Sequence, residues 1–379
     1  MTPGGVVHVI TGLEVGGTET MLLELCREES RGGGGFSVAS LMSDGPMRER
    51  FAQIGVDVLG LGMRRGEFSA RGLLSLVRLI RRARPRVVQG WLYHGNLGAA
   101  AATWLSGVFP RPRLAWSIRG DLPDFACYPP RLRRVVSFGA RLSPFVDGIF
   151  YNSRVALDAH RKYGFRPRLA RVIPNGLDLM RFSFDAGARA ATRLALGLPD
   201  DAIVVIAAGR NDPMKNWPGM LAAHEMADDG RVWLVAVGEG TERLPPAPRR
   251  RPLGRRDDMP ALYAAADIFM LASHFGEGTS VALSEAMACG LPVIVTEVGD
   301  NGSVAAGAGL VVPSRDAEAL VQALAKLARD PGLRAHAGKA ARERAAAFGA
   351  DRMHAGFRGF CEALSKQSLT RRREASRAL

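Results

Sequence analysis

The stretch DIFMLASHFGEGTSVALSEAMACGLPVIVT, residues 267–296, carries the information that sets the fold of this chain. Ile268–Leu271 is a continuous apolar run of strand length, and a loop containing Gly276 and Gly278 follows it. A helix then starts with Thr279 or Ser280 as its cap and is stopped by Cys289-Gly290 and Pro292. A second apolar run, Val293–Thr296, closes the unit. Strands that are apolar throughout and joined through a helix belong to a parallel sheet covered on both faces. A helix N-terminus reached through a glycine-bearing loop presents free backbone N–H groups and the positive dipole end to an anion. Glu277 in that loop and Glu285 in the helix would disfavour an anion unless they have another task. Accepting hydrogen bonds from vicinal sugar hydroxyls is such a task. Two surface acids on a strand–turn–helix is the other reading, and the residues alone leave both open.

Working outward, the same alternation fills the chain. Strands are expected at Val6–Ile10, Phe36–Leu41, Val56–Leu61, Val87–Trp91, Leu114–Ile118 and Gly148–Tyr151. After a polar, proline-containing connection the series restarts at Ile203–Ala208 and runs through Val232–Val237, Ile268–Leu271, Val293–Thr296 and Leu310–Val312. At 379 residues the chain exceeds one comfortable core, given roughly 150 residues per domain. Two doubly wound α/β domains with a cleft between them are therefore expected, ligands binding at the carboxyl ends of the strands. The expected division is residues 1–180 for the first domain and 181–347 for the second. A helix at 348–365 returns to the first domain, and a basic, disordered tail occupies 366–379.

The acid spacing Glu277-x7-Glu285 sits between GRRDDMPALYAAADIFMLAS (254–273) and EAMACGLPVIVTEVGDN (285–301). Together these closely resemble the E-x7-E motif of the family 4 glycosyltransferases, retaining enzymes of the GT-B fold. Further segments resemble the same family: GLEVGGTETML (12–22), YNSRVALDAHRKYGF with RVIPNGLDLMRF (151–182), AAGRNDPMKNWPGML (207–221) and FGADRMHAGFRGFCEAL (348–364). The resemblance runs from Val6 to Leu364. It implies two Rossmann-like domains and a nucleotide-sugar donor, with Glu277, Arg210 and Lys215 as the catalytic group. Glu277 would meet the donor sugar, Glu285 the ribose, and Arg210 with Lys215 the diphosphate. Gly16 and Gly17, Gly278, Thr279 and Ser280 would meet the donor, and Arg255 would lie where the base binds. Many members carry a histidine where AWSIRGDLPD (115–124) has Arg119. Some polysaccharide-building members share this Ser-Ile-Arg form, so Arg119 and Asp121 are the acceptor-side candidates, the cation suiting an anionic group. Gly302-Ser303 stands where an acid is common.

Charge adds a direction. The net charge is +14, but residues 1–175 hold 25 Lys+Arg against 13 Asp+Glu, and residues 176–379 hold 26 against 24. Nearly all the excess lies in the first half, which suits a membrane surface, a phosphate-bearing substrate or nucleic acid. Residues 70–82 form an amphipathic helix with arginines on one face, read as a solvated face or as a membrane contact. Basic stretches interleaved with Leu and Val rather than aromatics speak against nucleic acid. The four cysteines are scattered, the seven histidines dispersed and D-x-D absent, so no metal site, disulfide framework or cofactor is expected. No apolar run spans a bilayer and no secretory signal is visible. A cytoplasmic protein, peripheral at the inner face of the membrane, is the expected setting, with a nucleotide-sugar and a glycan or lipid-linked acceptor as partners. The alternatives are a sugar-nucleotide epimerase or hydrolase of the same architecture, and a non-catalytic basic binding protein.

Overall fold

The computed structural model describes residues 5–42, 45–63, 69–122, 128–227 and 230–377. Cys127 lies outside these residues. The chain forms two compact units, Met1–Gly176 with Ala350–Leu379, and Leu177–Gly349.

The first unit is built on seven parallel strands: β1 (Val6–Ile10), β2 (Phe36–Ser40), β3 (Val58–Gly60), β4 (Val87–Trp91), β5 (Arg113–Ile118), β6 (Gly148–Tyr151) and β7 (Ala170–Val172). Their order is β3-β2-β1-β4-β5-β6-β7. Because side chains alternate, Val7 and Val9 of β1 enter one core while His8 turns to the other face of the sheet. That face is closed by the helix Ala350–Arg377. Its Phe357 lies 5.7 Å from the His8 ring and 5.9 Å from Phe150, and Phe360 lies 5.6 Å from Phe150. A Cβ at Gly148 would come within 2.8 Å of Phe360 and Leu364, so the strand has glycine where the helix is pressed closest. The basic tail, expected to be disordered, continues this helix to Arg377.

The second unit carries six parallel strands: β8 (Ile203–Ala208), β9 (Val232–Val237), β10 (Arg250–Gly254), β11 (Ile268–Leu271), β12 (Val293–Thr296) and β13 (Gly309–Val312). Their order is β10-β9-β8-β11-β12-β13. In each unit the order reverses once, between β1 and β4 and between β8 and β11. The loops leaving those neighbouring strands diverge, which opens a crevice at the carboxyl edge. The strand before the decisive loop is firmly seated. Arg189 and Arg193 of the helix Ala186–Ala195 bind Asp267 at 2.7 and 3.3 Å, and Asp267 accepts from the Val204 amide at 2.8 Å.

Two strands, β7 and β10, were not expected. Both are edge strands with one neighbour each, and an edge tolerates the arginines and proline of RRPLG that an apolar run would exclude.

Candidate active site

The loops after β8 and β11 meet at the reversal point of the second sheet. In the first loop, Asp212 Oδ1 accepts from the amides of Met214 (3.1 Å) and Lys215 (3.3 Å), turning the chain back on itself. Asn216 follows in the left-handed region, and its side chain accepts from the Gly219 amide at 3.1 Å, capping the helix Trp217–Ala227. The second loop is tied to the first through the His274 amide, which donates to the Met214 carbonyl at 2.8 Å. Gly276 has φ +81°, and a Cβ there would meet the Met214 sulfur at 2.7 Å.

These turns bring Lys215 and Glu277 together from 62 residues apart: Lys215 Nζ donates to Glu277 Oε1. Ser273 Oγ donates to the same oxygen at 2.7 Å. Glu277 is 7% exposed, so this is a largely desolvated pair. A third loop, after β12, supports it from behind. Gly299 has φ +60°, and a Cβ there would fall 2.0 Å from the Glu277 carbonyl oxygen. The Asp300 amide donates to the Gly278 carbonyl at 3.0 Å, and Asn301 Oδ1 accepts from the Ser280 amide at 3.3 Å. Gly278, Thr279 and Ser280 are buried where the helix Val281–Ala288 begins. On that helix, Glu285 Oε2 accepts from the Tyr263 hydroxyl at 3.0 Å. Burial, with Glu285 beside it, raises the Tyr263 phenol, and the same two causes push the Cys289 thiol up to about 12.

Arg210 stands apart from that pair: it is mostly exposed and faces Asp212 at 3.3 Å. Arg255 is exposed just beyond β10. Sequence reasoning singled out neither Ser273, Asp212 nor Tyr263; Tyr263 meets Glu285 only through the fold, whereas Asp212 and Ser273 bond near neighbours in their own loops.

In the first unit, Gly16 caps and Gly17 opens the helix Gly17–Arg31 that follows β1. Arg119 leaves the end of β5. Its guanidinium sits 5.5 Å over the Trp91 ring and 6.0 Å from Phe150, and one nitrogen donates to Asn175 Oδ1. Its other terminal nitrogen is enclosed without a hydrogen-bond partner. Burial lowers this guanidinium to about 9, which leaves it charged at neutral pH. Asp121 is buried two residues on.

One trio, His8, Cys26 and Glu29, brings potential metal ligands within 4.8 Å of one another. Its hydrogen bonding works against a metal. Trp91 Nε1 donates to His8 Nδ1 at 3.2 Å, so the proton is on Nε2, which faces Glu29 Oε2 at 3.2 Å. Burial also raises the Cys26 thiol, away from the thiolate a metal would need. His8 and Glu29 are hydrogen-bonded, and Cys26 is buried beside them.

Residues 15–181 match the sequence model "Glycosyltransferase Family 4", and residues 189–344 match "Glycosyl transferases group 1". The chain belongs to the family 4 glycosyltransferases. A "D-inositol 3-phosphate glycosyltransferase" of Saccharomonospora viridis is 36% identical to it over 228 residues, 53% of this chain and 52% of that protein. This family 4 glycosyltransferase thus spans about half the length of the curated relatives it matches. Among solved structures it resembles Anabaena HepE in complex with UDP-glucose, with a TM-score of 0.83 at 20% identity over 96% of this chain and 99% of that one. It also resembles the sucrose-phosphate synthase of Thermosynechococcus elongatus, with a TM-score of 0.79 at 20% identity over 96% and 100%. These likenesses establish the GT-B fold, two Rossmann-like units.

Proposed function

We propose that the chain transfers a hexose, with retention of configuration, from a UDP-sugar to a glycan or lipid-linked acceptor in the building of a cell-surface polysaccharide. The observation that carries this reading is the buried Lys215–Glu277 pair beside the start of the helix Val281–Ala288. An arriving diphosphate would draw Lys215 toward itself, freeing the Glu277 carboxylate to accept from the sugar's hydroxyls. In transfer, the bond between the anomeric carbon and the diphosphate oxygen breaks, its electron pair leaving with the diphosphate. A bond forms to the acceptor oxygen on the same face, and the acceptor proton passes to the leaving oxygen. Positive character grows on the sugar near Glu277 and negative charge on the diphosphate near Lys215 and Arg210. Lys215 and Arg210, with helix-terminal N–H groups, would supply the charge that a metal would otherwise bring. No metal requirement is proposed.

In the same reading Glu285, held by Tyr263, takes the ribose, and Arg255 flanks the base. Gly16 and Gly17 lend backbone to the phosphates. The acceptor falls to the first unit, where Arg119 and Asp121 stand. Arg119 supports an acceptor bearing an anionic group, as the D-inositol 3-phosphate of the relatives' name would. The uracil nucleotide is taken from HepE, described with UDP-glucose. No described helix is long and apolar enough to cross a membrane. The net excess of twelve positive charges in residues 1–175 supports a place at the cytoplasmic face of an anionic membrane.

A panel of nucleotide-sugars tested by thermal shift should give one donor that stabilises well above the rest, since the shift follows the logarithm of ligand over its dissociation constant. Donor alone should release little free nucleotide, and adding acceptor should raise the release. Rapid release or epimer formation without acceptor would instead support the hydrolase or epimerase reading. No response to any nucleotide would overturn the proposal.

A further inference from the structure

The helix Pro130–Leu142 and the turn Ser143–Phe145 carry an unusual outer stripe. Val136 and Gly139 are buried, and Leu132, Ala140 and Leu142 pack partly into the same core. On the other side, Arg131, Arg134, Phe138, Arg141 and Phe145 are all exposed. Their spacing steps by three and four, so they share one face of the helix. Phe138 is 50% and Phe145 60% exposed. No acidic residue occurs between Asp124 and Asp147. Among the described residues, none of the three stripe arginines, nor Arg133 beside them, forms an ion pair. The aromatic surface extends further: Phe109 is 86% exposed, and the 2.9 Å Arg111–Asp147 pair joins its segment to the one that follows Phe145.

The helix Ala70–Ala83 is the instructive control. It too is arginine-rich, but its leucines and valine turn mostly inward and Leu74 is the one large apolar side chain exposed on it. Its exposed side is basic without an aromatic stripe.

We propose that the stripe Arg131–Phe145 is the surface by which the first unit seats on a bilayer rich in anionic phospholipid. Phenyl rings enter the boundary between headgroups and acyl chains, while arginines on the same face reach back to the lipid phosphates. A second copy of this chain is a poor occupant, because a two-fold contact would set the arginines against their own kind. The proposal deepens the membrane contact suggested above and rests on it.

The test is flotation of the full-length protein with vesicles of phosphatidylcholine, with and without about one-third phosphatidylglycerol. Binding should need the anionic lipid. Phe138→Ser with Phe145→Ser should lower the partition at least tenfold. Arg131→Gln, Arg134→Gln and Arg141→Gln together should lower it roughly a hundredfold. Removing the same charge as Arg71→Gln, Arg78→Gln and Arg82→Gln should leave most of the binding; an equal loss there would overturn the assignment. So would vesicle binding that ignores the phenylalanines. A dimer, or an oligonucleotide complex, lost with the same Phe changes while vesicles go unbound would also sink it. All variants are exposed and should keep the wild-type melting temperature and the donor's thermal shift. Turnover on a water-soluble acceptor reads the transfer reaction separately. Its failure with vesicle binding intact would remove the proposed function and leave the docking face standing.

Discussion

The two units share one plan, a parallel sheet whose order reverses once, yet their carboxyl edges are furnished differently. In the second unit three loops are tied together by the His274 amide on Met214 and the Asp300 amide on Gly278, and Ser273 braces Glu277 within the middle loop. The cation at their centre, Lys215, is matched by Glu277. In the first unit the cation at the end of β5, Arg119, is backed by aromatic rings and an asparagine, with one nitrogen left without a partner. On the proposed function, the self-compensated pair would open to a ligand that carries both a diphosphate and hydroxyls. Arg119 is partly buried with one enclosed nitrogen unpartnered, which has a desolvation cost that an anion would relieve. One fold thus carries a charge-balanced cation in one unit and a cation without a charged partner in the other.

The largest effect should come from breaking the balanced pair. Lys215→Ala or Glu277→Ala is expected to lower kcat by about 10²–10³-fold, the loss typical of removing one transition-state partner. Nucleotide release measures it, and full turnover in either variant would remove these residues from the site.

Acid should separate the units next. His160, in the first unit, is fully buried, receives the Tyr93 hydroxyl at 2.8 Å and bonds the Ala156 carbonyl at 2.7 Å. Burial holds it down to about 4. The unfolded chain binds a proton there below about 6.5, so stability falls as pH drops from 6.5 through 4, by up to ~3 kcal/mol. Denaturation across that range should show the slope, and His160→Gln should flatten it. An unchanged slope would place the acid sensitivity elsewhere.

The smallest effect sharpens the contrast most. Arg119→Met should raise stability by ~1 kcal/mol by removing a desolvated charge. It should also raise the acceptor KM about tenfold while sparing the donor KM, the share of one charge-assisted contact. A raised donor KM instead would move Arg119 to the donor side.

Much of this was legible in the residues because buried parallel strands announce themselves. IVVIAA, VWLVAV and IFML admit little else, and the loop-to-helix turn after β11 followed from its glycines, although Ser280 stands at the cap position without a side-chain capping bond. The Lys215–Glu277 bond was not legible: sequence reasoning gave the two residues to different parts of a ligand, and their meeting depends on how two loops register. β7 and β10 escaped because edge strands need no apolar run. The basic helix at 70–82 drew attention through its periodicity, whereas nothing in the residues alone singled out Phe138 and Phe145. Periodicity finds a face without saying whether neighbours cover it, and only the packed helix shows those rings outside.

The helix Ala350–Arg377 has one more consequence, for the order in which the chain is made. The second unit is one continuous segment and can close as soon as Gly349 has been synthesised. The first unit must wait. The face of its sheet that carries His8 and Phe150 stays uncovered until Phe357 and Phe360 arrive, some two hundred residues after its last strand. The half of the chain that is translated first is therefore the half completed last, and a stop after Gly349 would damage the unit farther away in sequence.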